Sequence, residues 1–170
     1  NKYRGYTTVS YGVQWSLNTI AIRTLEMLGT TTSFYFMEDK LGFERNTVKL
    51  IPLIETALGV ENAFQIASAT KRVAALFLGG EDLTADLRCK RTKEGNEINY
   101  ARTRLVCAAR AAGVDVYDTP FTEVNDDEGI WTDAEYAKSL GFTGKSAISP
   151  RHVSVINSVF SPSQKDIDYA

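Results

Sequence analysis

The feature that most constrains the fold is a strand–helix alternation that repeats four times after residue 48. Short apolar runs, typical of buried strands, alternate with longer stretches of helical periodicity. The predicted strands are 49–55, 73–78, 114–117 and 145–148, and the predicted helices are 61–70, 97–112, 133–140 and 150–160. Continuous apolar strands separated by helices are typical of a parallel sheet with helices on its faces. The sequence therefore predicts an α/β fold.

The predicted architecture is half of a (β/α)₈ barrel preceded by a helical hairpin. Four βα units are half the number in an eight-stranded barrel, although an open doubly wound sheet has the same alternation. Before residue 45 this alternation is absent. Apolar residues recur there at three- and four-residue steps over 13–28 and 32–41, and Gly29 and Gly42 follow these stretches. This predicts two domains, a helical segment 1–44 and a half-barrel 45–170.

Charge, hydropathy and cysteine content exclude several classes of protein. The formal net charge is −2, so there is no electrostatic reason to expect binding to nucleic acid or to an anionic membrane. No apolar run approaches the roughly 20 residues that a membrane span needs. Cys89 and Cys107 have no CxxC spacing, so we expect neither a disulfide framework nor a zinc site. The prediction is a soluble protein of the cytoplasm.

Acidic residues follow three of the predicted strands, at the point where each strand ends. Glu55 closes the first strand, Asp82 comes shortly after the second, and Asp118 follows the third. The carboxyl ends of parallel strands share one edge of a sheet, where sites lie in α/β folds. Mg²⁺ prefers one or two carboxylates together with water and substrate oxygens, so this edge is a candidate magnesium site. For Asp82 and Asp118 the alternative is a helix N-cap, which such a position also favours.

Several segments of the half-barrel resemble, in order, the motifs of one family of lyases. These segments are 51–57 (IPLIETA), 78–84 (LGGEDLT), 99–102 (NYAR), 141–150 (GFTGKSAISP) and 156–162 (INSVFSP). They are similar to the citrate lyase β-subunit family, which belongs to the HpcH/HpaI aldolase superfamily. The resemblance covers about residues 49–170.

The resemblance implies a (β/α)₈ barrel, an assembly of identical subunits, and a carbon–carbon lyase reaction on a citryl- or malyl-type thioester. A bound Mg²⁺ would act as a Lewis acid on the oxygens of a keto acid. The implied site residues are Glu55 and Asp82 for Mg²⁺, Gly80 and Glu81 for the substrate carboxylate, and Lys145 and Ser149 for the thioester carrier, coenzyme A or an acyl carrier.

The chain departs from the pattern of this family in two respects. Ser149 stands where the family usually has a histidine, and the first four βα units are absent, together with an arginine that grips the substrate. We therefore expect an incomplete fragment that needs a second copy, another chain, or pairing of its strand edges with its own N-terminal part. The sole histidine, His152, is near the start of a predicted helix without an evident partner, and we expect it at the surface.

The N-terminal segment resembles a different family. Residues 5–21 (GYTTVSYGVQWSLNTIA) are similar to the segment around the second motif of class A penicillin-binding proteins, and the similarity continues to about residue 43. Ser16 and Asn18 match the S-x-N element of the transpeptidase site. That site also needs a preceding S-x-x-K and a Lys-Thr-Gly strand. The chain has no Lys-Thr-Gly, and its S-x-x-K, at 68–71, follows the S-x-N element.

We therefore interpret Ser16 and Asn18 as remnants of a transpeptidase site, and the chain as a chimera or fusion of two families. A composite of two gene pieces would give the same sequence pattern. The function that we predict is that of a Mg²⁺-dependent lyase. The alternatives are a transpeptidase fragment and a folded chimera without catalytic activity.

Overall fold

The computed structural model describes residues 32, 42, 44, 47–162 and 167–168. Contacts between residues divide the chain into two units, Asn1–Val48 and Lys49–Ala170. The predicted helical hairpin lies almost entirely outside the described residues, as do Ser16 and Asn18. The fold described below is that of the second unit.

The second unit contains a parallel sheet in which the strands lie side by side in chain order. The strands are β1 (Leu53–Ile54), β2 (Ala75–Leu78), β3 (Asp115–Asp118) and β4 (Gly144–Lys145). Every neighbouring pair is parallel, and an isolated bridge between Leu50 and Val73 extends the first pair. A doubly wound sheet reverses its strand order at a switch point, and no reversal occurs among these strands. The parallel α/β fold is confirmed, and its strand order is that of a (β/α)₈ barrel.

The two faces of the sheet have different surroundings. One face is covered by helices and carries the core residues Ile54, Leu76, Leu78 and Val116, each at most 2% exposed. Side chains alternate between faces along a strand. The pairing register places Leu53, Phe77 and Tyr117 in one row on the other face. Leu53 is 47% exposed, so the described residues leave this second face partly uncovered.

The helices follow the strands, as the alternation predicts. They are α1 (Ala57–Glu61), α2 (Ala63–Ser68), α3 (Gly80–Asp86), α4 (Asn99–Ala112), α5 (Asp127–Leu140) and α6 (Pro150–Phe160), with a 3₁₀ turn at Asn96–Ile98. In α4 the predicted apolar side is buried, with Leu105 and Ala109 inaccessible to solvent. No helix among the described residues has the length and apolar character to cross a membrane.

Three helices differ from the prediction. α1 begins at Ala57, before the predicted helix start at residue 61. α3 has no predicted counterpart, although it begins at Gly80, two residues after the predicted strand 73–78. α5 begins at Asp127, six residues before the predicted start at 133. Asp126 caps this helix: its Oδ1 accepts a hydrogen bond of 2.8 Å from the N–H of Gly129. The acidic residues Asp126, Asp127 and Glu128 therefore form the start of this helix.

Candidate metal and substrate site

Glu55 and Asp82 lie together at the carboxyl edge of the sheet. Glu55 directly follows β1, and Asp82 lies in the first turn of α3, just after β2. The pKa of Glu55 is raised by its burial, then by the negative charge of Asp82 and by a hydrogen bond between the two side chains. A neighbouring negative charge raises the pKa of a carboxyl group at short range, so the two carboxyl groups lie near each other. The structure thus brings the two predicted metal ligands together.

Gly79 provides room for the Glu55 side chain. A Cβ atom at position 79 would lie 2.8 Å from the Cβ of Glu55 and 3.2 Å from its Oε2. The N–H of Gly79 also donates a hydrogen bond of 2.9 Å to the carbonyl of Ile54, which joins β1 to the end of β2. A larger residue at position 79 would therefore displace the carboxylate of Glu55 or separate the two strands.

Gly80 is held by Thr119, the residue that follows β3. Its N–H donates a buried hydrogen bond of 3.0 Å to Oγ1 of Thr119, and a Cβ at position 80 would lie 2.7 Å from that oxygen. This N–H is one of the donors that have no partner within a helix at its start. The predicted contact between Gly80 and a substrate carboxylate therefore competes with Thr119 for the same N–H.

Glu81 points towards the loop that precedes α4. Its carboxylate is more than half exposed, and its Oε1 lies 3.5 Å from Nε of Arg91. Arg91 also binds Glu97, with 2.7 Å between Nη1 and Oε1. Burial alone would raise the pKa of Glu97, but hydrogen bonds from the backbone and side chain of Thr92 and from Arg91 lower it to about 2. Glu97 therefore stays ionised and fixes the loop beside Glu81.

Behind this edge lies a group of four charged side chains that we call the buried ion cluster. Its members are Arg102, Asp118, Asp133 and Lys145, none of which is more than 9% exposed. Arg102 donates to both oxygens of Asp118, at 3.0 and 2.8 Å, and donates to Oδ1 of Asp133 at 2.8 Å. Lys145 Nζ lies 2.6 Å from Oδ2 of Asp118 and 2.5 Å from Oδ2 of Asp133. The two positive and two negative charges neutralise one another.

The buried ion cluster assigns Asp118 and Lys145 roles that differ from those predicted. Asp118 is neither a helix N-cap nor a partner of Glu55, because Arg102 and Lys145 occupy its oxygens. The carrier contact predicted for Lys145 is wrong for its ammonium group, which is fully buried between Asp118 and Asp133. Arg102 and Asp133 were not predicted to be functional residues. The signal for Arg102 is a charged residue on the buried side of a helix, next to Ala101.

Ser149 and His152 belong to the start of α6. Oγ of Ser149 accepts a hydrogen bond of 3.3 Å from the N–H of Arg151, so this serine is the N-cap. Its predicted contact with a thioester carrier stays a prediction. The expectation of a surface histidine is wrong: His152 is 0% exposed, and its Nε2 lies 3.2 Å from the carbonyl of Val124. Burial follows because the helix turns this residue towards the loop before α5.

A cavity of about 610 Å³ is lined by the N-terminal parts of α4 and α5 and by the segments that precede them. Its walls include Gly95, Asn99, Phe121, Asp133 and Tyr136, and neither Glu55 nor Asp82 borders it. The cavity thus lies next to the buried ion cluster and apart from the acidic pair. The candidate site is defined by the paired carboxylates and not by this cavity.

The donor set at the sheet edge fits Mg²⁺. Within the described part of the chain, no group of three or more His, Cys, Asp or Glu side chains is arranged to hold a metal ion. Structural zinc sites have four protein ligands and catalytic ones have three, so a zinc site is not favoured. Mg²⁺ keeps several waters and often uses only one or two carboxylates together with substrate oxygens. Glu55 and Asp82 provide such a pair.

The sequence profile of the HpcH/HpaI aldolase/citrate lyase family matches residues 22–150. The chain belongs to this family. It is 41% identical over 133 residues to the citrate lyase subunit beta of Leuconostoc mesenteroides subsp. cremoris. The matched region is 78% of this chain and 44% of that relative. The chain thus spans less than half the length of this curated relative.

Solved structures of this family have the same fold. One is the citrate lyase beta subunit of M. tuberculosis complexed with oxaloacetate and magnesium, with a TM-score of 0.62 and 29% identity over 67% of this chain and 53% of that chain. Another is the protein CitE of Mycobacterium tuberculosis in complex with magnesium, acetoacetate and coenzyme A, with a TM-score of 0.63 and 28% identity over 71% of this chain and 47% of that chain. Both likenesses support the (β/α)₈-type arrangement of strands.

The family match changes the interpretation of the N-terminal segment. It begins at residue 22, whereas the sequence motifs placed the start of the lyase resemblance at about residue 49. Residues 22–43 were likened to penicillin-binding proteins and now fall within the lyase family match. The comparisons give no support to the penicillin-binding resemblance or to a chimera.

Proposed function

We propose that this chain provides the metal-binding part of a Mg²⁺-dependent carbon–carbon lyase that acts on citryl- or malyl-type thioesters. The observation that carries the proposal is the pair of carboxyl groups, Glu55 and Asp82, at adjacent strand ends of a citrate lyase-type fold. The matched part of this chain is less than half of a related citrate lyase β subunit. We therefore propose the activity for the assembled protein and not for this chain alone.

The two carboxylates would hold the cation, and their electrostatics favour its binding. Without a cation, burial and the negative charge of Asp82 both oppose ionisation of Glu55 and raise its pKa. A divalent cation between the two carboxylates would compensate this repulsion. When bound, Mg²⁺ supplies Lewis-acid stabilisation of the negative charge that develops on the oxygens of a keto acid. Gly79 keeps the space beside Glu55 open for this purpose.

The substrate and carrier contacts are proposed from the family. The complexes with oxaloacetate and with acetoacetate and coenzyme A support a keto acid and an acyl thioester as substrates. We place the acid next to the backbone of Glu81, because Thr119 already engages the N–H of Gly80. We place the thioester carrier along the segment that ends in Ser149.

A homo-oligomer in the cytoplasm completes the proposal. Leu53 is 47% exposed on a face of the sheet that the described residues cover only in part. A face of a parallel sheet is normally buried, so a second copy of the chain would stabilise it. The formal charge of −2 gives no reason to expect a nucleic acid partner.

Titration calorimetry with Mg²⁺, with and without oxaloacetate, tests the proposed function. The variants Glu55→Gln and Asp82→Asn should each abolish measurable binding, because each removes one of two anionic ligands. Asp115→Asn is the matched control, since Asp115 is an exposed carboxylate at the opposite end of β3. The proposal fails if the unmodified chain and both site variants take up Mg²⁺ with the same affinity as the control.

A further inference from the structure

A continuous series of contacts connects the buried ion cluster to the helix that carries Asp82. Lys145 Nζ donates a hydrogen bond of 2.7 Å to the carbonyl of Thr119, in addition to its contacts with Asp118 and Asp133. Oγ1 of the same threonine accepts the N–H of Gly80, the first residue of α3. Thr119 is therefore fixed on its backbone side by the cluster and contacts the helix with its side chain.

The contact between Thr119 and Gly80 is buried and close. Thr119 is 1% exposed. A Cβ at position 80 would lie 2.7, 3.2 and 3.2 Å from Oγ1, Cβ and Cγ2 of Thr119, so the backbone of α3 rests directly on this side chain. Asp82 follows two residues later on the same helical turn. Any movement at Gly80 is transmitted to Asp82 because a single helical turn connects them.

We propose that Thr119 is a positioning residue of the metal site, which holds the start of α3 so that Asp82 faces Glu55, and that the buried ion cluster holds Thr119. This inference rests on the proposed function, because it assigns a role relative to the Glu55–Asp82 site. Thr119 does not itself contact the metal or the substrate. It acts through Gly80.

The physical basis is the hydrogen bond that a buried N–H requires. Gly80 lies at the start of α3, where an N–H has no partner within the helix, and it is buried from water. Loss of the acceptor leaves this donor unpaired, and the least costly response is a shift of the helix start towards another acceptor. Valine has nearly the shape of threonine but no acceptor, whereas serine keeps the hydroxyl group.

The buried ion cluster makes the support rigid. Arg102 is on α4, Asp118 on β3, Asp133 on α5 and Lys145 on β4, so their contacts connect two helices and two strands. Fully buried charges tolerate little displacement, because separation leaves a charge without a partner in a medium of low polarity. The carbonyl of Thr119 therefore has one favourable position relative to Lys145.

The test compares Thr119→Val and Thr119→Ser with a control, Thr143→Val, in the full chain. Thr143 also bonds the backbone of β3 through its hydroxyl, with contacts of 3.1 and 3.0 Å to the N–H and carbonyl of Val116, and within the part of the chain that the structure describes this hydroxyl makes no hydrogen bond to α3. Two quantities are measured for each variant: Mg²⁺ affinity by calorimetry, and amide hydrogen exchange of residues 79–84 without Mg²⁺.

Thr119→Val should weaken Mg²⁺ binding by roughly tenfold, as is typical when a residue that supports a metal ligand is removed. It should also accelerate amide exchange of residues 79–84, whereas Thr119→Ser and Thr143→Val should leave both quantities close to those of the unmodified chain. Unchanged exchange in Thr119→Val, or an equal loss of affinity in Thr143→Val, would overturn the positioning role. Absence of Mg²⁺ binding by the unmodified chain would instead overturn the proposed function, and the exchange data would still decide whether Thr119 holds α3.

Discussion

Replacement of Asp118 by asparagine tests how strongly the buried ion cluster stabilises the fold. Asp118 accepts hydrogen bonds from Arg102 and Lys145, and the side chains of all three residues are fully buried. The cluster has two positive and two negative charges. Asp118→Asn leaves one positive charge in excess, because the two buried cations, Arg102 and Lys145, then share the single negative charge of Asp133.

The expected cost follows from this burial. Removal of one partner from a buried ion pair costs roughly 3–5 kcal/mol, because the remaining charge stays desolvated. In a protein of this size each kcal/mol lowers the melting temperature by roughly 2–4 °C, so the midpoint should fall by about 6–20 °C. The control is Asp127→Asn. Asp127 pairs with Arg151 at 2.7 Å, but the two side chains are 57% and 51% exposed, so solvent screens the pair and the expected loss of stability is small.

Urea unfolding followed by circular dichroism, together with thermal melts, measures both variants. The free energy of unfolding should fall several times more for Asp118→Asn than for Asp127→Asn, with the denaturant dependence unchanged. Similar losses in the two variants would refute the reasoning, because they would show that burial does not set the contribution of these ion pairs. A stability equal to that of the unmodified chain in Asp118→Asn would refute it as well.

Three further predictions concern the site, and one concerns the N-terminal segment. The pKa of Glu97 is lowered to about 2. Its ionised form therefore stabilises the fold above its ordinary pKa near 4.5, and this contribution is lost as the pH falls towards 2. Glu97→Gln should remove this part of the pH dependence of the free energy of unfolding, which is at most about 3 kcal/mol. The pKa of Glu55 is raised, so Mg²⁺ affinity should fall as the pH decreases through that pKa, with proton release detectable by calorimetry in two buffers. Gly79→Ala should weaken Mg²⁺ binding, because its Cβ would lie 2.8 Å from that of Glu55, and binding as tight as in the unmodified chain would contradict this. A labelled β-lactam should form no covalent adduct with the chain, since Ser16 lacks the other two transpeptidase elements, and mass spectrometry checks this.

The fold was predictable where the sequence has local periodicity. Apolar runs identified all four strands, and Gly113 and Gly141 end α4 and α5 with left-handed backbone, as C-terminal glycines do. Three of the four predicted strands are longer than the observed ones: 49–55, for example, contains only Leu53–Ile54 as a strand. Apolar character indicates that a residue is buried. A strand also needs a neighbouring strand in register that accepts and donates its backbone hydrogen bonds, so hydrophobicity alone does not determine where a strand ends.

The acidic pair was predictable for a topological reason. In parallel sheets every strand end lies at one edge, so acidic residues that follow adjacent strands are neighbours in space even though Glu55 and Asp82 are far apart in sequence. The buried ion cluster had no comparable rule. Arg102 and Asp133 come from two different helices, and their meeting depends on the rotation of each helix about its axis. Periodicity indicates which side of a helix is buried but not which charged partner it meets.

Among the described strands, each one pairs only with the strand directly before it or directly after it in the chain. Within the residues that the structure describes, β1 and β4 each pair on one side only, so a further βα unit can join at either edge without rerouting an existing connection. This modular construction accounts in physical terms for four ordered strands, with the carboxyl pair at the ends of two of them, in a chain that spans under half of a citrate lyase β subunit.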